Sequence, residues 1–333
     1  MSKLAVFTSL FALIVTTGIC PSWSMAQSPW QQPTSNKISL EIAGKIFDRP
    51  GDDSSAPVIF DSLTNATLLD QEQATDFNGS AGIEVKANVP GFFGQGFEFR
   101  SIITTWEQER FITSNNLASP FFPDPADPTT LFIPPQSVNY EIESDFYSFE
   151  LMRKRAIRPG LTVSAGPRFI STSDEISITA TTNTTAPVIG VPITATQFND
   201  FEAKNSLIGL QLGLELNRPI AQSLYFTVFG RAGGYYNSTR FDTSTSSMDT
   251  LGITNTPLTQ TRQSRSTESF VAEAGGRLNF EIVPNSFSTF VGYEATVIDG
   301  IALASANVAN IPPIDTNNTT FFHAITFGAT LSY

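Results

Sequence analysis

The residues of this chain that could do chemistry are charges of opposite sign placed two apart, or scattered singly along alternating segments. Glu84 and Lys86 form one such pair, and Glu98 and Arg100 another. Arg168, Glu215, Arg231, Glu273, Arg277 and Glu294 recur on the polar parity of later segments. In an extended strand successive side chains point to opposite faces, so residues two apart share a face. The chemistry this spacing offers is an ionic ladder across an enclosed interior, because a buried charge without a partner is costly. Lined up along a passage, the same groups would act as an ion filter.

Catalytic and metal chemistry have few residues to work with. The only histidine is His323, and the nearest acid in sequence is Asp315 in the segment before it. A catalytic base must lie within hydrogen-bond reach of its partner, and the spacing favours an interfacial imidazole. The only cysteine is Cys20, inside the N-terminal leader, and one histidine without a thiol cannot build a zinc site. "DRPGDD" (48–53) and "PDPADP" (123–128) offer oxygen ligands for calcium without EF-hand spacing, and read as solvated turns. "GFFGQG" (91–96) has no following helix and gives no nucleotide site. "MRKRAIR" (152–158) reads as a short turn carrying four positive charges, facing anionic headgroups or contacting peptidoglycan or a partner. No enzyme activity and no cofactor are expected.

The elements that position these residues are strands. Residues 1–26 read as a secretory signal peptide: Lys3, the apolar run Leu4–Val15, then "SMA" before Gln27. Residues 27–36 follow as a short stub. From 37 to 333 no segment keeps a 3.6-residue apolar period, whereas ten segments alternate with period two. They are 37–47, 81–89, 96–106, 138–152, 160–170, 204–216, 223–236, 268–280, 287–297 and 321–333. Most are long for globular strands but suited to crossing a bilayer at a tilt, which takes roughly 9–11 residues. Short links alternate with long ones at 48–79, 108–136, 171–203, 237–267 and 298–319, the habit of outer-membrane barrels. A closed barrel also removes the unpaired first and last edges.

The expected fold is therefore all-β: a closed antiparallel up-and-down transmembrane barrel of about ten strands, with termini on the periplasmic side. Twelve strands result if 171–203 hides a hairpin of "ISITATT" and "VPITATQF"; the same segments could extend the barrel wall beyond the membrane. Pro167 cannot donate to a ladder and predicts a bulge. Trp106, Tyr140, Tyr235, Tyr236, Phe321 and Phe322 are expected in one aromatic girdle, and Tyr147, Phe149, Phe280, Phe287 and Tyr333 in the other. Beyond the leader, acids outnumber bases by 13, and the long links carry that excess. Acidic links at the mouth would concentrate cations. A ten-stranded lumen is narrow, since eight strands leave room only for side chains and water-filled porins use 16–18.

"TFGATLSY" at the end of the chain looks like the signal read by the outer-membrane assembly machinery, with Thr326, Gly328, Leu331 and Tyr333 in the matching places. "YSFELMRKR", "SAGPRFI", "GRAGGYY", "FVAEAGGRLNF" and "GYEATVIDGIALAS" resemble a family of bacterial β-barrel porin-like envelope proteins, over roughly residues 138–333. The resemblance implies an outer-membrane location and a barrel fold and favours by name a small porin-like channel, to which the acidic links and lumenal charges add a weak cation preference. The alternative is a closed structural or interaction barrel that displays its acidic loops to a surface partner. Outer-membrane lipid, lipopolysaccharide and the assembly machinery are the implied partners, with no nucleic acid. The oligomeric state stays open.

Overall fold

A computed structural model describes residues 37–49, 57–61, 64, 66–70, 77–91, 95–114, 117–118, 136–185, 192–250, 256–307 and 314–333. The leader and the stub, most of "DRPGDD" and all of "PDPADP" lie outside these residues.

The wall comprises β1 (Ser39–Arg49), β4 (Phe77–Pro90), β5 (Gln95–Thr113), β7 (Ser137–Arg158), β8 (Leu161–Thr185), β9 (Pro192–Ala221), β10 (Leu224–Asp249), β11 (Thr256–Val283), β12 (Phe287–Ile301) and β13 (Asn318–Ser332). Each pairs antiparallel with its neighbours, and β1 pairs with both β4 and β13, so the sheet closes as a ten-stranded barrel. The chain end is built into the seam: Tyr333 donates its backbone N–H to the Ile38 carbonyl at 2.9 Å. Three short strands, β2 (Pro57–Asp61), β3 (Thr67–Asp70) and β6 (Leu117–Ala118), form a separate small sheet. One helical turn, α1 (Ala304–Asn307), precedes β13.

Strand length departs from the sequence-based expectation. β8, β9, β10 and β11 run 25, 30, 26 and 28 residues, far more than a bilayer crossing needs. The segments 171–203 and 237–267, expected as loops, are largely wall. "ISITATT" and "VPITATQF" pair with each other as the upper part of the β8–β9 hairpin, so they lengthen the wall and add no strands. Similarly, "MRKRAIR" is not a turn; β7 continues through it, and the turn is Pro159–Gly160, with Gly160 at a φ of 79°.

Pro167 makes no bulge. Glu150 pairs with Arg168 and Arg153 with Ala165 in one unbroken register, so the missing N–H costs rungs of the ladder and no shift. A Cβ at the neighbouring Gly166 would collide with the Leu151 carbonyl, which explains glycine there.

Along the wall the two faces exchange character, and the exchange marks a membrane border. At the short-turn half of β7, Phe149 and Leu151 face outward while Glu150 faces the lumen. Further along the same strand, Glu141, Glu143 and Asp145 face outward while Tyr140, Ile142 and Phe146 are buried inside. β9 repeats the change, with Ile208, Leu210 and Leu212 exposed on the side where Asp200 and Glu202 stand higher up. An outward apolar belt around an ion-lined interior suits hydrocarbon, and charged-out, apolar-in suits water. Beyond the belt, the barrel continues as a water-facing extension.

Candidate functional site

The lumen has three layers. Nearest the short turns lies an open vestibule of about 600 Å³, bordered by Lys37, Asn88, Tyr225 and Glu281. Above it, the inner-parity charges of nine strands meet. Seven carboxylates (Glu41, Glu84, Glu98, Glu150, Glu215, Glu273, Glu294) interlock with seven bases (Lys45, Lys86, Arg100, Lys154, Arg168, Arg231, Arg277). With every group ionised, the layer is neutral.

Its geometry closes the bore. Arg100 reaches Glu84 at 2.7 Å on the adjacent strand and Glu273 at 2.6 Å across the lumen. Arg231 contacts Glu98 and Glu150, each at 2.9 Å, and Arg168 contacts Glu273 at 3.3 Å. Lys45 bonds Glu84 at 2.7 Å and also Glu294, while Arg277 holds Glu41 at 2.8 Å. Gln211 donates to Glu150, and Ser148 accepts from Arg168 at 2.8 Å. Arg100, Arg168, Glu150 and Glu273 have side chains only 1–2% exposed, so solvent does not reach the centre. A void of about 20 Å³ beside Arg277 and Phe290 is no larger than a water site. Buried ions gain from such packing only when their remaining donors and acceptors are met, as these largely are.

The third layer is apolar. Phe47 meets Trp106 edge to face with ring centroids 5.6 Å apart, Trp106 stacks on Phe322 at 5.4 Å, and Phe146 lies 5.7 Å from Phe322. Trp106, Tyr140, Tyr235 and Phe322, expected in the outer girdle, thus point inward and fill the bore. Their parity assigns them to the inner face, and only Tyr236 and Phe321 of that set face outward. Ile59, Leu69 and Leu117 of the small sheet belong to the same buried cluster and cap it. The segment after β12 folds over this layer: Asn205 accepts from the Ala302 N–H at 2.9 Å and donates to its carbonyl at 2.8 Å. Asn237 donates to the Gly300 carbonyl at 3.1 Å. Asn307 then ties the strap to itself through Asp315.

All ten residues read from sequence as interior charges stand on the inner face, with Lys86, Glu98, Glu215 and Arg277 bordering the vestibule. Sequence reasoning missed Glu41, Lys45, Glu150 and Lys154, although period-two alternation places each on the inner parity. Arg49 and Asp174, paired at 2.8 Å beside Ser144, form a further buried ion pair above the layer. His323 does not approach Asp315. Its Nε2 lies 3.1 Å from Asp48 across the β1–β13 seam, facing outward between the rings of Tyr293 and Phe321. Of the assembly-signal residues, Thr326 faces the lumen and Leu331 and Tyr333 face outward, while a Cβ at Gly328 would press on the Ile42 carbonyl.

On the outer surface of the extension, Glu107, Glu143, Glu175 and Glu202 stand opposite one another on four adjacent strands. Partial burial, then Asp145, Glu107 and Glu141, raise the Glu143 carboxyl above its ordinary value. Glu175 is raised by partial burial and by Glu202, Asp200 and Glu143. Asp242 continues the row; burial opposes its ionisation, but hydrogen bonds from Arg240 and Arg262 hold it below the ordinary value.

No family model matches the sequence, and no curated protein matches it. Among solved structures, the outer membrane protease OmpT from Escherichia coli is similar at a TM-score of 0.39 and 10% identity, over 89% of this chain and 97% of that one. The translocator domain of the autotransporter NalP from Neisseria meningitidis is similar at 0.40 and 9% identity, over 99% of each chain. A major outer membrane protein from Thermus thermophilus is similar at 0.29 and 12% identity, over 89% of this chain and 98% of that one. These scores are low, and the barrel rests on its own closed strand pairing.

Proposed function

We propose that this chain is a bacterial outer-membrane barrel, termini on the periplasmic side, whose lumen is shut by its own ion pairs. Its long extension then serves as a water-facing interaction surface. The observation that carries this reading is the central layer: groups from opposite walls touch, and Arg100, Arg168, Glu150 and Glu273 are 1–2% exposed. In a water-filled pore the lining charges would be solvated. The aromatic layer and the strap above it add a second barrier. His323 and Asp48 are read as a seam contact and not as a catalytic pair.

A second reading, a porin-like small channel with weak cation preference, draws on the vestibule and on the acidic surface at the other mouth. It requires the ionic layer to part. Single-channel recording of refolded protein in a planar bilayer separates the two, with heat-modifiable gel migration confirming the fold. A silent barrel is expected. Discrete cation-selective steps, altered by substituting Arg100, Arg231 or Arg277, would establish the channel instead.

A further inference from the structure

We propose that Arg153, Arg155, Arg158 and Arg218 form a binding surface for the phosphate headgroups of anionic phospholipid, in the membrane leaflet at the short-turn end. The proposal rests on the membrane-spanning reading of the barrel.

The first observation is depth. Arg153 and Arg155 project outward from β7, two residues apart, directly below Leu151 and Phe149, which are 49% and 42% exposed. Phe97, opposite Arg153 on β5, is 51% exposed. Arg153 and Arg155 therefore stand at the lower border of the apolar belt, where lipid phosphates lie while acyl chains cover the belt above, and Arg158 and Arg218 are exposed further toward the short turns.

The second observation is their lack of acids. Every base of the lumenal layer has a carboxylate within ion-pair distance, whereas among the described residues none of these four does. Arg153 donates only to the side-chain carbonyl of Gln95. The alternation of β7 splits the basic run between two tasks. Lys154 turns inward to Glu98 at 2.8 Å and Glu215 at 3.3 Å, so these nearby acids are engaged on the far side of the wall. A planar guanidinium left without an acid presents a donor fork matched to phosphate.

The third observation is spacing and sign. β8 separates β7 from β9 and carries no charge at this end, its residues being Leu161, Thr162, Val163 and Ser164. Arg155 is level with Val163 and Leu214, so Arg218 stands two strand spacings across and four residues further along, roughly 16 Å away over uncharged outward residues, a span that admits a headgroup. At the loop end the same wall sector is acidic through Glu107, Glu143 and Glu175. Anionic headgroups are favoured at one end of this sector only. Continuity with the apolar belt selects a lipid over a soluble polyanion.

The test is native mass spectrometry of folded protein released from micelles holding equal amounts of phosphatidylglycerol and phosphatidylcholine. Phosphatidylglycerol should be retained at least tenfold over phosphatidylcholine. Removing the arginines one at a time as Arg→Gln should lower that preference about twofold each, reaching parity in the quadruple variant. Arg262→Gln at the loop end should leave it unchanged. Equal retention of both lipids by the unmodified protein overturns the proposal, as does a preference that survives in the quadruple variant or is lost in Arg262→Gln. If the quadruple variant does not fold, a salt titration of the unmodified protein decides, because a phosphate-guanidinium preference must fall as ionic strength rises. Binding to purified peptidoglycan that depends on these arginines, without lipid preference, reassigns the surface and also overturns it. Heat-modifiable folding into phosphatidylcholine vesicles is scored separately, so failure of the membrane reading is distinguished from failure of the lipid site.

Discussion

Arg100 and Glu273 lie 173 positions apart in sequence and meet at 2.6 Å across the lumen, one from β5 and the other from β11. Glu273 also receives Arg168 and Arg231, both at 3.3 Å. Replacing it with alanine leaves three buried guanidinium groups short of an acceptor. Breaking a buried pair from one side costs about 3–5 kcal/mol. Glu273→Ala should lose that much in urea unfolding from lipid vesicles, followed by tryptophan fluorescence. Glu273→Gln keeps the acceptor oxygen and should lose less. A loss below about 1 kcal/mol for the alanine variant, the level of an exposed pair, would remove the argument that this layer is dry.

Asn205 bonds both the N–H and the carbonyl of Ala302, standing in for a strand neighbour at the point where the strap leaves the wall. Asn205→Ala leaves both backbone groups unmet, a cost of about 1–3 kcal/mol for each orphaned buried group. The strap should become the first site of protease cleavage while the barrel keeps its heat-modifiable migration. If the barrel shuts by its ionic layer, this variant stays silent in bilayers; conductance from it would place the barrier in the strap.

The seam offers a test of packing against targeting. A Cβ at Gly328 would sit 2.5 Å from the Ile42 carbonyl, on the pairing of β1 with β13. Gly328→Ala should therefore slow or block folding into pure lipid vesicles, where no assembly machinery is present. Normal folding in vesicles with failed assembly in cells would assign this glycine to recognition alone.

Much of the wall was legible because period-two alternation is a local property. Glu84, Lys86, Glu98 and Arg100 declare their face by their spacing, whatever they touch. Strand length was not legible. Above the belt, polarity is reversed on the same parity: β7 places Tyr140 and Ile142 inside and Glu141 and Glu143 outside, and its neighbours there are rich in serine and threonine, which read as loop. Lys154 was hidden because a run of four bases resembles a solvated turn until pairing shows β7 passing through it. The union of His323 with Asp48 depends on closure of the ring, which joins opposite ends of the chain and leaves no local trace.

The outer acidic row gives a pH dependence of known sign. Glu143 and Glu175 titrate above their ordinary value of 4.5, so the folded extension holds protons more tightly than the unfolded chain does. Between 4.5 and the raised folded values the folded form carries more protons, and stability falls as pH rises through that window. The gain is complete below 4.5 and absent at neutral pH. Partial burial, and after it like charges along and across the strands, account for the penalty, and the repulsive part is sensitive to salt. Amide hydrogen exchange in the β7–β8 extension should therefore slow as pH is lowered from about 7 toward 4.5, after correction for the intrinsic exchange rate. Glu143→Gln with Glu175→Gln should slow exchange at neutral pH and flatten the profile, and so should added salt. Exchange that quickens on acidification in the unmodified protein would mean that these carboxylates are engaged in attractive contacts when ionised, and the row would not be a site of repulsion.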